Sequence, residues 1–406
     1  MTDRLPSAAR RRFLATAAAS FAGAGSAAAS DLVPEWTRTQ GAPISGYGTP
    51  SPFESDVARR SRIKPPFPSA ASSLTPLAKL HGVITPAGLH FERHHGGVPA
   101  IDPDRHRLVI HGLVERPLVF TVDDLVRFPS VSRIHFLECS GNTPGWAEPN
   151  PKWTVQDTHG LISCSEWTGV RLSTLLDEVG LKPAAKWVVA EGADASAMTR
   201  SLPIEKALDD VIVAYAQNGE RLRPEQGYPV RLFVPGLEGN VSVKWLRRLK
   251  LDDRPQEGRE ETSKYTDLMP GGKARQFTFL MEAKSVITSP SGGEALGAHG
   301  FREISGLAWS GRGKITRVEV SVDGGASWRD AVLQTPVLSK CLTRFRLPWR
   351  WDGAPATLQS RATDETGYVQ PSRERLIEAR GRNSQYHFNA VQSWAVAASG
   401  EVVNAA

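Results

Sequence analysis

The sequence predicts an α+β protein: a mixed-sheet domain with a few short helices, followed by an immunoglobulin-like β-sandwich. Three observations point there. The chain has 406 residues, enough for two domains with cores of their own. Its 29 prolines and 36 glycines imply many turns and few long helices. Short helical and strand patterns alternate up to about residue 262, whereas beyond Phe277 the helix signals stop and strands follow one another.

The first 29 residues place Arg10-Arg11-Arg12-Phe13-Leu14 ahead of a run of Ala, Gly and Ser that ends near Ala27-Ala28-Ala29. A basic region, a short apolar region and a small-residue site form a signal peptide. The twin arginine followed by Phe-Leu indicates the Tat route, and hence the periplasm. That route carries folded proteins, so a cofactor inserted before export is expected. The apolar run is too short and too weakly hydrophobic for a membrane span, and no later segment supplies one. Residues 30–80 are rich in Pro and Ser and are expected to run as extended chain over the surface.

Residues 81–262 form the first domain. Leu108–Ile110 and Leu118–Phe120 are short strands around a turn. Thr121 then caps a helix, with Asp124 at its third position. Ile134–Cys139 is a strand, Leu172–Val179 a helix and Trp187–Ala190 a buried strand. Val211–Tyr215 and Val230–Val234 are strands separated by the turn Asn218-Gly219. The charged stretch Arg254–Glu261 is an exit loop. In residues 277–400, strands are expected at Glu303–Trp309, Ile315–Val322, Trp328–Leu333 and Leu342–Leu347, with Asp323-Gly324-Gly325 as a hairpin turn.

The formal charge is +6. Four arginines and one aspartate lie in the first 29 residues, leaving +3 for the rest. With no Lys/Arg-rich block after the leader, nucleic-acid binding is not expected. The three cysteines, Cys139, Cys164 and Cys341, are odd in number and have no close pairing in the sequence. This is not a disulfide scaffold, so one or more thiols is free to act as a ligand. No Cys/His spacing matches a zinc site. The most informative thiol is Cys139, which ends an apolar strand and enters the small-residue turn Ser140-Gly141-Asn142. A cysteine there is displayed at a strand end, although such a residue alone is more often a small core hydrophobe.

From His81 to Val396 the chain resembles the sulfite oxidase family of molybdenum enzymes. Phe91-Glu92-Arg93-His94-His95-Gly96-Gly97-Val98-Pro99 resembles the family's Arg-Asn-His motif. Cys139-Ser140-Gly141-Asn142 resembles its Cys-x-Gly-Asn metal-ligand motif. Tyr228-Pro229-Val230-Arg231, Val234-Pro235-Gly236 and Ser242-Val243-Lys244-Trp245 are similar to its pterin-phosphate segment. Trp309-Ser310-Gly311 and Asp323–Trp328 resemble its dimerisation domain, which implies a homodimer of catalytic chains. The implied cofactor is molybdenum-molybdopterin, and the implied metal ligand is Cys139, because a third soft ligand beside two dithiolene sulfurs is a thiolate. Arg231, Ser242 and Lys244 are the implied partners of the phosphate. His94, His95 and Asp194 are the implied pterin contacts. Arg93 and Tyr265 fall on active-site positions, beside the place where an anionic sulfur species reacts.

Free-sulfite oxidases carry arginine just after the Cys-x-Gly-Asn motif, where this chain has Thr143 and Pro144. Near the C-terminus, alignment places Asn389 where they carry another arginine. Loss of two guanidiniums weakens binding of a free sulfite dianion, whereas a substrate delivered on a carrier protein needs fewer ionic contacts. Leu89–His95, Thr158–Ile162, Glu166–Gly169 and Lys264–Gly272 match one branch more closely, the molybdenum subunits of Sox sulfane dehydrogenases. That branch implies sulfane sulfur on a cysteine of the Sox carrier protein as substrate. It also implies a dihaem c-type cytochrome as electron acceptor, since this chain has no Cys-x-x-Cys-His haem motif. The alternatives are a periplasmic sulfite:cytochrome c dehydrogenase, a methionine-sulfoxide reductase of the same superfamily, and an exported binding protein with an immunoglobulin-like module. The C-terminal β domain speaks against the reductase.

Overall fold

The computed structural model describes residues 37, 40, 42–63, 66, 68–143, 149–382 and 384–405. The expected leader, including Arg10-Arg11-Arg12, and Pro144 lie outside the described residues. The chain divides after Ser55. The described part of the first unit contains one 3-10 turn, Pro52–Glu54, whose N-terminus is capped by the Ser51 hydroxyl accepting from the Phe53 N–H.

The second unit, Asp56–Ala406, holds both predicted domains. A three-stranded antiparallel sheet forms from Arg60–Arg62, Ser72–Leu74 and Glu92–Arg93. Part of the segment expected on the surface is therefore core: Leu74 and Leu77 are fully buried. A five-stranded sheet runs in the order Leu118–Phe120, Leu108–Gly112, Leu246–Asp252, Trp187–Gly192, Thr199–Pro203. It is mixed, because Leu108–Gly112 and Leu246–Asp252 pair in parallel while their neighbours pair antiparallel. The helix Val122–Arg127 carries the expected cap. The Thr121 hydroxyl accepts from the Asp124 N–H at 3.0 Å, and Asp124 accepts from the Thr121 N–H at 2.9 Å.

A second five-stranded sheet, antiparallel throughout, is built on Ser130–Glu138, Ile162–Arg171 and Ile212–Gln217. The Asn218-Gly219 turn joins Ile212–Gln217 to the short strand Glu220–Arg221. Arg231–Phe233 then pairs with Ile212–Gln217 as well. The helices Leu172–Val179 and Ile204–Asp209 contribute Leu175, Leu176, Val179, Ile204 and Ala207 to a core shared with the mixed sheet. The charged stretch before the second domain is not simply a loop: Arg259–Thr262 is helical and Glu261 is buried, accepting from the Ser201 hydroxyl at 3.0 Å.

The C-terminal domain consists of two antiparallel sheets. One holds Lys284–Ser289, Gly300–Trp309, Thr343–Trp351 and Val332–Gln334. The other holds Arg329–Asp330, Ile315–Ser321, Ala356–Asp364, Ser393–Val396 and Val402–Asn404. In Thr343–Trp351 buried and exposed residues alternate from Phe345 onward, as expected of a strand with one face on a core. Asp323-Gly324-Gly325 does make the turn, with φ of 71° and 92° at the two glycines. The helix Arg373–Arg380 is the exception to the predicted all-strand pattern. It lacks an apolar stripe, burying only Leu376 and Arg380, so no periodicity announces it.

One apolar core crosses the junction between the domains. Phe136, Ile162 and Cys164 pack with Val286, Trp309, Cys341 and Leu342. At this junction Cys164 Sγ lies 3.4 Å from Cys341 Sγ, a contact between two buried free thiols that their spacing of 177 residues does not announce. Among the described residues, no helix is long and apolar enough to cross a membrane.

Candidate active site

The strand Ser130–Glu138 pairs with Ile162–Arg171 as far as Glu138 opposite Ile162, and Cys139 follows at once. The turn beyond it is stitched back to the neighbouring chain. Cys139 N–H donates to Leu161 O at 3.0 Å, Asn142 N–H to Cys139 O at 2.8 Å, and Leu161 N–H to Asn142 Oδ1 at 3.0 Å. A Cβ at Gly141 would stand 3.9 Å from Cys139 Sγ and within 4 Å of nothing else. Glycine thus leaves open the space beside the sulfur. Burial pushes the Cys139 thiol up, while the Gly141 amide and the positive charge of Arg93 pull it down.

Arg93, His94 and His95 follow from the short strand Glu92–Arg93, which pairs with Ser72–Ser73. Lys244 reaches across to them. Its ammonium donates to His94 Nδ1 at 2.8 Å, to Arg93 O at 3.2 Å and to Glu225 O at 3.1 Å, and lies 4.5 Å from the Trp245 ring centroid. This fixes the His94 tautomer, with Nδ1 accepting and Nε2–H donating to Glu92 Oε2 at 2.7 Å. Burial, and then Arg231, push the Lys244 ammonium well below its usual range. Burial and Arg93 push His95 down to about 4.

Arg231 is fully buried. Its guanidinium donates to Gln226 O at 3.0 Å and Ser242 O at 2.9 Å, and stands 4.9 Å from the Trp167 ring centroid. Gly227 makes this approach possible: at φ 108°, a Cβ there would press on Arg231 Cβ and Lys244 Cα at 3.1 and 3.2 Å. Ser242 Oγ accepts from Val234 N–H at 3.0 Å, which leaves its proton to donate. Asp194 accepts from Met198 N–H at 3.3 Å. Tyr265, at φ 54°, shares a hydrogen bond of 3.0 Å with His95 Nε2, and burial and Cys139 raise its phenol.

Arg93, His94, His95, Cys139, Asp194, Arg231, Ser242, Lys244 and Tyr265 all line one cleft, which is open to solvent and has about 660 Å³ of empty space up to and including its mouth. Residues from six separate stretches of sequence meet there. The donor set fits a pterin cofactor with a phosphate and a thiolate-bound metal: a soft sulfur beside open space, with cations and polar hydrogens lining the same cleft. Among the described residues, no group of three or more His, Cys, Asp or Glu side chains is arranged to hold a metal ion.

Asn389 is the exception. It is buried away from the cleft, with Nδ2 donating to Ala283 O at 3.1 Å and to Tyr368 Oη at 3.2 Å. The C-terminal segment instead meets the site through His387 and Tyr386, whose ring centroid is 5.1 Å from that of Tyr265. Sequence reading missed the group behind the cleft. Glu238 is buried and accepts from Arg200 at 3.0 Å and Asn240 Nδ2 at 2.8 Å, and pairs with His387 Nε2 at 3.2 Å. His387 N–H and Asn240 Nδ2 in turn donate to Ser140 O and Ser140 Oγ, at 2.8 and 3.2 Å. Glu238 and Asn240 lie inside the stretch that carries the phosphate-segment motifs and were within reach of a closer reading. His387 carried no local signal.

Residues 95–260 match the oxidoreductase molybdopterin binding domain, and residues 275–393 the Mo-co oxidoreductase dimerisation domain. The crystal structure of the sulfane dehydrogenase SoxCD from Paracoccus pantotrophus is similar, with 50% identity and a TM-score of 0.89. The match covers 92% of this chain and 97% of that one. Nitrate reductases are also similar. That of Ulva prolifera is 36% identical over 279 residues, 61% of this chain and 32% of its own length. Nitrate reductase 1 of rice, Oryza sativa subsp. japonica, is 36% identical over 318 residues, 68% of this chain and 34% of its own. The chain thus spans about a third of the length of these curated relatives.

Proposed function

The chain belongs to the family of oxidoreductases that join a molybdopterin-binding domain to a Mo-co dimerisation domain, and on that premise we propose that it is the molybdenum subunit of a sulfane dehydrogenase. Its substrate is sulfane sulfur carried on a cysteine of a Sox carrier protein. Its electrons pass to a c-type, dihaem cytochrome subunit. The chain is exported folded to the periplasm by the Tat route and acts as a homodimer. The observation that carries the reading is the convergence of Cys139, Arg93, Tyr265 and the pterin-type contacts on one cleft, in a chain half identical to a sulfane dehydrogenase.

When bound, the molybdenum cofactor supplies two-electron redox chemistry at sulfur. The residues bind and orient. Cys139 presents the thiolate. Lys244, Ser242 and Arg231 line the cleft and would supply the N–H and O–H donors that hold a phosphate. His94, whose tautomer is set by Lys244 and Glu92, offers a fixed face to the pterin. The Tyr265 hydroxyl, tied to His95 Nε2, stays protonated because of its burial, and so remains a donor to an oxygen of substrate or product.

Electrostatics favour a carrier-bound substrate. All three cations lining the cleft donate to backbone carbonyls, Arg231 to Gln226 O and Ser242 O, Lys244 to Arg93 O and Glu225 O, and Arg93 to His94 O, and Arg93 is the one whose charge lowers the Cys139 thiol. A single guanidinium at that place suits a monoanionic persulfide better than a sulfite dianion. The rest of the binding energy then comes from the carrier surface. The test compares specificity constants for free sulfite and for carrier protein bearing a cysteine persulfide, with the cytochrome present. A higher constant for sulfite would move the protein to the sulfite:cytochrome c dehydrogenases.

A further inference from the structure

The cysteine turn is held from outside its own domain. Glu138, immediately before Cys139, is completely buried. Its Oε1 accepts from Lys284 Nζ at 3.0 Å and from Asn142 Nδ2 at 2.9 Å, and its Oε2 accepts from Trp309 Nε1 at 2.7 Å. Lys284 and Trp309 belong to the strands Lys284–Ser289 and Gly300–Trp309 of the C-terminal domain. The same ammonium donates to Asn142 O at 3.3 Å and to Thr143 Oγ1 at 2.6 Å. A lysine has three protons to donate, and here all three go to the residues flanking Cys139-Ser140-Gly141. Thr143 sits at φ 84°, a conformation that a β-branched residue adopts only when its surroundings enforce it.

A buried ion pair is a poor source of stability, because desolvating both charges offsets most of their attraction. What it does supply is a unique geometry. Glu138 fixes the residue before the sulfur, and Asn142 and Thr143 fix the residues after it. One ammonium joins the two ends. Resting on the reading that Cys139 is the metal ligand, we propose that Lys284 is a positioning residue of the active site. The C-terminal domain, besides any part in dimerisation, thereby completes the thiolate turn of the catalytic domain through the Lys284–Glu138 pair and the Trp309 indole. Within the first domain the two ends are joined by the Asn142 Nδ2–Glu138 Oε1 bond, and Lys284 adds a second link that also reaches Thr143.

The experiment uses the full-length holoenzyme, produced with its cofactor. The variant Lys284→Met/Glu138→Gln removes both charges together, so no unpaired buried carboxylate is left; the one amide oxygen can accept from Trp309 Nε1 while the amide NH2 turns toward Asn142 Nδ2, so the variant also loosens the bond between the two ends of the turn. Four quantities are read: Tm, molybdenum content, the sulfur shell in the molybdenum X-ray absorption spectrum, and kcat separately from KM. A merely structural pair would move Tm alone. The positioning role predicts that, whatever the shift in Tm, the folded protein has molybdenum content or kcat lowered by about 10- to 100-fold, as for other groups that orient a metal ligand. It also predicts an altered sulfur shell and an unchanged KM. Wild-type content, spectrum and kcat in the double variant would overturn the proposal. If that variant does not fold, Thr143→Val decides, since it deletes one of the three acceptors without changing shape or charge. An unchanged spectrum and kcat there would overturn it equally. Failure of the wild-type chain to bind molybdenum would instead strike the function proposed above.

Discussion

Replacing Glu238 with glutamine tests the buried group behind the cleft. Burial raises the Glu238 carboxyl. His387, Arg200 and Asn240 together outweigh that effect and hold it at about 2, against an ordinary value of 4.5. At about 1.4 kcal/mol per pH unit, the ionised form is favoured by about 3 kcal/mol in the folded protein. Because the side chain is buried, solvent does not dilute this figure as it does for surface pairs. The sign follows from linkage. A carboxyl depressed by folding contributes stability that is fully present above its unfolded pKa, and that is lost as pH falls through the folded value. Wild type should therefore lose about 3 kcal/mol between pH 4.5 and 2 through this group, a loss that Glu238→Gln cannot show. At pH 7 the variant should be less stable by an amount of the same order. The gap should narrow steadily as the pH is lowered from 4.5. The assay is urea unfolding of both proteins at pH 7, 5 and 3.5, with matched molybdenum content. A gap that stays constant across this range would refute the reasoning, because it would mean that the carboxylate's charge is not what the network holds.

Other outcomes follow from the same structure. Cys139→Ser should abolish turnover while moving Tm by only a few degrees, since the side chain is partly exposed and the turn's bonds are made by backbone and Asn142; circular dichroism melts and turnover assays check both. Arg231→Ala should cost about 2–4 kcal/mol as well as cofactor content, because it leaves the carbonyls of Gln226 and Ser242 buried without their donor; denaturant midpoints and molybdenum analysis separate the two effects. Changing Arg10, Arg11 and Arg12 together to Lys should leave activity in the cytoplasm and remove it from the periplasm, which cell fractionation measures.

Much of the fold was legible because the rules that set it are local. The Thr121–Asp124 cap needs only three residues of separation, and the alternation along Thr343–Trp351 needs only two. The Asp323-Gly324-Gly325 hairpin rests on glycine's access to positive φ. The helix Arg373–Arg380 was not legible, since a helix on the surface with two buried residues has no period to read. The site was legible where the proposed function asks for particular residue types: Cys139, Lys244, Arg231 and Ser242, singled out for a soft metal and a phosphate, all line the one cleft.

The sequence by itself singled out the residues that line the cleft and the turn that displays the thiol. Only the tertiary structure decided what surrounds them. Lys284 meets Glu138 across 146 residues, His387 meets Glu238 across 149, and Cys164 meets Cys341 across 177. No propensity or periodicity acts over such distances. These meetings are set by how two sheets and a second domain stack, and by the need of each buried charge for a partner once water is excluded. For the same reason Asn389, placed by alignment in the substrate pocket, bonds instead to Ala283 and Tyr368 in the C-terminal domain. Near the C-terminus the chain turns its neighbours Tyr386 and His387 toward the site, and which residue of such a segment faces inward is a property of packing, not of order along the chain.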